Sequence, residues 1–349
     1  MTALAPPPAN PELLGHGEAE AAMLRAWQTG RLAHAWLITG PRGIGKATFA
    51  YRLARFVLAG GEAVAPTSLA IAPESPVFRR VAAGAHANLR ILEPTPHPKS
   101  GRMRDEIVVD QIRDLAPFLH LTEAEADHWR VIIVDSADML NRSAANALLK
   151  ALEEPSAEVL FLLVSHAESR LLPTVRSRCH RLALRPLDDA VMTAILARAG
   201  HQGEAASMAI ALAGGSAGRA LRLAAMDGPA LYRNLLEVAA AGPPASLERI
   251  LEMASPLARK TDQGRERFAL MIDVIAILFA RLAGWAAGVP ARGAVVADEA
   301  ALNRRLLGRR ELAQWLALWE KIARHAGRVE LARLDRRQVA IAALTAIAS

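Results

Sequence analysis

The chain has 349 residues, more than one ordinary hydrophobic core organises, so two or three domains are expected. Lysine and arginine exceed aspartate and glutamate by seven (42 minus 35), a surplus that favours an acidic partner such as nucleic acid. A single cysteine, Cys179, excludes an internal disulfide and a cysteine-cage zinc site, and points to an intracellular, cytoplasmic protein.

Residues 1–10, with Pro6, Pro7 and Pro8, read as a loose leader, with no signal-peptide pattern. Over 18–28, Ala19, Ala22, Met23, Ala26 and Trp27 fall on one helical face. The run AWLITGPRGIGKAT at 35–48 then gives a strand ending at Thr39, a glycine turn from Gly40, and a helix carrying Phe49, Leu53, Phe56 and Val57. Glycines 60 and 61 close that helix, and 62–87 has no clear period, as an insertion or irregular excursion would. Strand character returns at 88–93, followed by a loop marked by Pro94, Pro96, Pro98 and Gly101. A helix-compatible pattern runs over 105–119 through Ile107, Ile112 and Leu115. The apolar run 129–134, ending in Asp135, reads as a strand buried on both faces. Asn141 suits the N-cap of a helix bearing Ala145, Leu148, Leu149 and Leu152, which must stop before Pro155. Two more strands are expected, at 159–164 and 181–184. Strands alternating with helices imply an α/β fold, a parallel sheet covered on both sides.

After Pro186 the strands give way to helices, at 188–199, at 203–212, and again from Arg219 beyond Gly214, Gly215 and Gly218. Gly242, Pro243 and Pro244 form a second break before an all-helical remainder. The apolar helix at 268–285 carries Asp273 and Arg281, and is better read as buried than as spanning a membrane. Leu312, Trp315, Leu316, Trp319 and Ile322 share a face, as core or subunit-contact residues do.

Gly40, Pro41, Arg42, Gly43, Ile44, Gly45 and Lys46 match the phosphate-loop pattern, whose small residues let backbone N–H groups curl around a phosphate while the lysine reaches outward. The helix that begins there adds its positive dipole end. The plain alternative is a glycine-rich turn that only packs closely. The slot for a Mg²⁺-holding hydroxyl is filled by Ala47, and Thr48 comes one residue late, about 100° around the helix. Asp135, about ninety residues on, has the position of the second nucleotide motif, or else merely caps a turn. The following position, a water-polarising glutamate in hydrolytic proteins, is Ser136, and Asp138 is displaced into the next loop. Ala47 and Ser136 together argue against a strong ATPase. Arg178, within VRSRC at 175–179, is either part of a solvated basic edge with Arg176, Arg181 and Arg185, or a finger for a neighbouring nucleotide site.

GPRGIGK at 40–46, VIIVDSAD at 131–138, NALLKALEEP at 146–155 and SRC at 177–179, in this order, resemble the bacterial clamp-loader AAA+ subunits of DNA polymerase III. The resemblance covers roughly residues 13–227. It implies an AAA+ P-loop NTPase domain (1–185), a small helical lid (186–228) and an all-helical collar (229–349) that assembles a hetero-pentameric ring. By the same resemblance, Arg178 is a finger acting in trans, Ser165 a sensor residue at its strand end, and Arg219 the lid's second sensor. The implied nucleotide is ATP with Mg²⁺, bound weakly or vestigially. No zinc is expected, because 62–87 lacks the cysteines of the zinc module many such subunits carry. The implied partners are delta and tau/gamma subunits, with the sliding clamp and primed DNA reached through the complex, and no membrane. The missing hydrolytic residues beside an intact SRC favour a non-motor subunit over its rivals, a tau/gamma-type motor and a P-loop protein of another class.

Overall fold

A computed structural model describes the chain except for residues 1–4, 63–66, 98–102, 120–128, 244, 260, 290–292, 294, 297–298, 330–331 and 333. Pro98, Gly101 and Pro244, named above as loop markers, lie outside the described residues. The chain divides into two compact units, Met1–Val191 and Met192–Ser349.

In the first unit, α1 (Gly17–Gln28) precedes β1 (Ala35–Thr39), and the glycine loop leads into α2 (Lys46–Leu58). There follow α3 (Pro76–Ala82), β2 (Leu89–Leu92), α4 (Val109–Arg113), α5 (Ala116–Leu119) and β3 (Arg130–Val134). Then come α6 (Arg142–Glu153), β4 (Val159–Ser165), α7 (Pro173–Arg176) and β5 (His180–Ala183). The five strands pair in parallel in the order β2-β3-β4-β1-β5. Each strand sends alternate residues to opposite faces. Val131, Ile133, Leu160, Leu162 and Val164 therefore pack with α1, α2 and α3. Ile132, Val134, Phe161 and Leu163 pack with α4 to α7 on the other side.

Three local readings change. The described part of the leader is not loose: Pro7–Ala9 form a 3₁₀ turn, because the buried Arg55 guanidinium needs acceptors and donates to the carbonyls of Pro8 and Asn10, both at 2.8 Å. The excursion at 62–87 contains α3, where Ser75 caps the Phe78 N–H at 3.1 Å, Pro76 takes the first turn, and Phe78 and Val81 are buried. The helix expected over 105–119 is two short pieces, and Ile107 instead makes a parallel bridge to Leu140. Asn141 does cap α6, accepting from the Ala144 N–H at 2.9 Å.

The second unit is helical throughout its described residues: α8 (Asp189–Arg198, which starts at the unit boundary), α9 (Gly203–Ala213), α10 (Ala217–Ala225), α11 (Gly228–Ala241) and α12 (Leu247–Ala254), then α13 (Asp262–Ala286), α14 (Glu299–Arg309), α15 (Leu312–Arg328) and α16 (Arg336–Ala348). α13 is long and apolar enough to cross a membrane, but Phe268, Met271, Val274, Ile275, Leu278 and Leu282 are buried within the unit. Its one deeply placed charge, Arg281, is held by Glu299 of α14, at 2.6 Å from Nε to Oε1 and 2.7 Å from Nη2 to Oε2. Tyr232 of α11 donates to the same carboxylate at 3.1 Å, as does the Val295 N–H. Both ionic side chains are nearly inaccessible, at 11% and 7% exposure. Glu299→Ala would strand a buried guanidinium, so a loss of about 3–5 kcal/mol is expected in chemical unfolding of this unit, against under about 1 kcal/mol for the exposed pair-breaking change Asp110→Ala.

Candidate nucleotide site

The loop between β1 and α2 lies at the carboxyl end of the sheet. Thr39 is paired there with Ser165 on one side and Ala183 on the other. Gly40 is forced by this closeness: a Cβ there would lie 2.5 Å from the Leu184 carbonyl oxygen, and its φ of +143° disfavours other residues. Gly45, at φ +104°, turns the chain into the first residue of α2. Pro41 and Arg42 are exposed, while Ile44 is buried under the loop.

Lys46 is only 3% exposed, and its Nζ donates to the loop's own carbonyls, Gly40 at 2.7 Å and Pro41 at 2.6 Å. Burial lowers its pKa to about 8, against the favourable pull of Asp138 and Asp135, with Arg42 adding to the lowering. Ala47, next in the helix, offers no hydroxyl, and Thr48 is half-buried.

Asp135 follows β3 directly, its N–H bound to the Leu92 carbonyl at 2.9 Å. Burial, and then the Glu93 carboxylate, push its pKa up, while Lys46 opposes them. Ser136 stands in the left-handed region at φ +66°, a strained conformation for a serine, with its Oγ 3.4 Å from His166 Nε2. Asp138 accepts the His166 N–H at 2.8 Å, so this carboxylate is engaged in holding the end of β4. The Ser165 hydroxyl and His166 Nδ1 are buried without a hydrogen-bond partner among the described residues. A polar group left in that state is costly unless a ligand or water completes it. His16, ahead of α1, bonds the Ile44 carbonyl through Nε2 at 2.7 Å. Burial lowers the pKa values of His16 and His166, and the Lys46 charge lowers them further.

The structure thus brings together the loop residues 40–48, Asp135 and Ser165. Sequence reasoning missed His16, His166 and Glu93, which belong to no motif and reach the site only through strand-end and helix-cap geometry. Arg178 is elsewhere, two residues ahead of β5 and so at the opposite, amino end of that strand. Arg219 belongs to the second unit, where its N–H is capped by Ser216 at 3.2 Å and it lines a cavity of about 560 Å³ with α9, α13 and α15. Among the described residues no three His, Cys, Asp or Glu side chains converge as metal ligands.

A parallel sheet in this strand order, with a glycine loop at the end of β1 and a carboxylate at the end of β3, is an AAA+ type P-loop module with a helical part after it. The family model described as "DNA polymerase III, delta subunit" matches residues 15–188. DNA polymerase III subunit delta' of Pseudomonas aeruginosa is 40% identical over 193 residues, 55% of this chain and 56% of that protein. The Escherichia coli delta' subunit is 32% identical over 202 residues, 58% and 57% of the two chains. The gamma/tau subunit of Mycobacterium tuberculosis is 34% identical over 188 residues, 54% of this chain and 30% of that one. Residues 15–188 of the chain belong to the family of that model, and its relatives include DNA polymerase III delta' subunits. The chain spans a little over half the length of the delta' relatives just named.

Lys46 gives the site a pH signature. Its ammonium loses charge as pH rises through about 8, so binding of a fluorescent ATP analogue should weaken about fivefold between pH 8 and pH 9. A Lys46→Arg variant, charged throughout, should lose that slope in the same titration.

Proposed function

We propose that this chain is a non-motor, bracing subunit of a cytoplasmic DNA polymerase III clamp loader. It would sit in a hetero-pentameric ring with delta and tau/gamma subunits and help load the sliding clamp onto primed DNA. Arg178 serves the ATP site of the neighbouring subunit in trans, and the chain's own site binds nucleotide weakly. The observation that carries this reading is the placement of Arg178 relative to the chain's own loop. β1 and β5 run parallel with Trp36 opposite His180, so Gly40 lies four residues of strand rise, about 13 Å, beyond the level of His180, and Arg178 sits in the turn that precedes that strand. That is beyond the reach of an arginine side chain, so this guanidinium does not serve the chain's own loop, which supports a role toward another molecule's phosphates.

The chain's own loop supports the other half of the proposal. Gly40 to Lys46 would cradle the phosphates, with Asp135 and Ser165 at the ends of β3 and β4. Mg²⁺, where bound, would neutralise phosphate charge, but Ala47 supplies no hydroxyl to hold it. Ser136 replaces the base, and Asp138 is already committed to His166. Loss of a positioned base alone costs about 10²- to 10⁴-fold in rate. The likeness to a gamma/tau subunit raises the motor as the second reading, and it differs in what the isolated chain does.

Purified alone, the chain is expected to hydrolyse essentially no ATP, and Lys46→Ala should change nothing measurable. In a reconstituted loader, Arg178→Ala should reduce turnover at the adjacent site by about 10³-fold or more. Brisk hydrolysis by the chain alone, abolished by Lys46→Ala, would establish the motor reading instead.

A further inference from the structure

The motif NALLKALEEP contains two glutamates for which the chemistry so far has no use. One of them, Glu153, is the last residue of α6, and its Oε1 lies 2.5 Å from Nη2 of Arg178. On the other nitrogen, Arg178 Nη1 donates to the Thr174 carbonyl at 3.0 Å and approaches the Ser177 Oγ at 3.5 Å. Nε–H has no acceptor among the described residues. The guanidinium is therefore gripped on part of its donor set, while another part faces outward from a side chain 36% exposed.

Both ends of this grip are fixed by the core. α6 is capped by Asn141 and buried through Ala144, Ala145, Leu148 and Leu152. α7 is held by Val175, fully buried, and Cys179 packs against the same apolar cluster. Burial raises the Cys179 thiol to about 11, so it remains a neutral packing group beside the arginine. An exposed ion pair between two long side chains adds little to folding stability, since it is screened and costs side-chain entropy. Its effect is on geometry. A free arginine loses much rotamer freedom when a phosphate captures it, and an arginine already ordered by a carboxylate has lost it beforehand.

We propose that Glu153 is the positioning residue of the finger: it holds Arg178 in place at the amino end of β5, with Nε–H left for the neighbouring nucleotide. The inference rests on the reading of Arg178 as a finger acting in trans. Glu153 acts through Arg178 and touches no substrate. Its removal lowers the rate at the neighbouring site without altering that site's affinity for ATP, because the phosphates are bound by the neighbour's own loop and the finger matters in the transition state.

The test uses the full chain in a reconstituted clamp loader, with DNA-stimulated ATPase as the readout and Glu153→Gln, Glu153→Asp, Arg178→Ala and Glu153→Gln/Arg178→Ala as variants. Glu153→Gln should lower kcat by about three- to tenfold, with KM for ATP within twofold and the melting temperature of the isolated chain unchanged. Glu153→Asp, which keeps the charge, should recover part of the loss. The double variant should be no slower than Arg178→Ala, since the two residues act as one unit. An unchanged or raised kcat in Glu153→Gln, or an additive double variant, overturns the positioning role while a defective Arg178→Ala leaves the finger in place. A fully active Arg178→Ala removes the finger and this inference with it.

Discussion

Everything in the first unit hangs on the parallel pairing of β1 with both β4 and β5. β1 is buried on both faces, and its carboxyl end runs so close to the continuation of β5 that the Leu184 N–H binds the Thr39 carbonyl at 2.8 Å. That leaves room at position 40 for a hydrogen atom only. Glycine there lets the chain double back into the loop, and the loop delivers Lys46 to the start of α2. The same register fixes Arg178 at the other end of β5, since His180 opposite Trp36 determines where the SRC segment meets the sheet. One pairing thus sets the distance between the glycine loop and Arg178.

Electrostatics at the carboxyl end of the sheet are those of an under-compensated positive charge. A buried ammonium with two carbonyl acceptors is poorly compensated, which is why its proton is held weakly. The neighbouring carboxylates cannot compensate it fully: burial and Glu93 raise the Asp135 pKa, and Asp138 is bound to a backbone N–H. A polyphosphate would supply the missing negative charge. The orphaned Ser165 hydroxyl, at the end of the strand beside the loop, points the same way.

Much of this was legible in the residues, because the strong signals were local. The apolar runs of β3 and β4, the Asn141 cap and the glycine spacing each depend on neighbours a few positions away, and each was read where it lies. The errors share a different cause. Arg55 orders the leader through acceptors 45 and 47 residues distant, which no periodicity records. The short α3 carries only two buried side chains, too few to declare a helical period, although the Ser75-Pro76 start was a usable cap signal. Ile107 was read as helical because it fits the spacing to Ile112, but pairing with Leu140 decides its conformation. Glu153 was visible as part of a motif, yet nothing in the sequence links it to Arg178, 25 positions later, until α6 and α7 are packed together.

A chain with alanine at 47 and serine at 136 still has a physical reason to keep the loop. The turn carries backbone carbonyls and a lysine that must be satisfied, and here the molecule satisfies several of them itself: Lys46 donates to the Gly40 and Pro41 carbonyls, and His16 bonds the Ile44 carbonyl. Those bonds fasten α1 and α2 to the sheet end, so the loop contributes to the fold whether or not a nucleotide is present. Replacing the magnesium-holding hydroxyl by Ala47 and the base by Ser136 disturbs none of these contacts, since neither position takes part in them. Hydrolysis can therefore be lost by substitution while the loop is retained by packing.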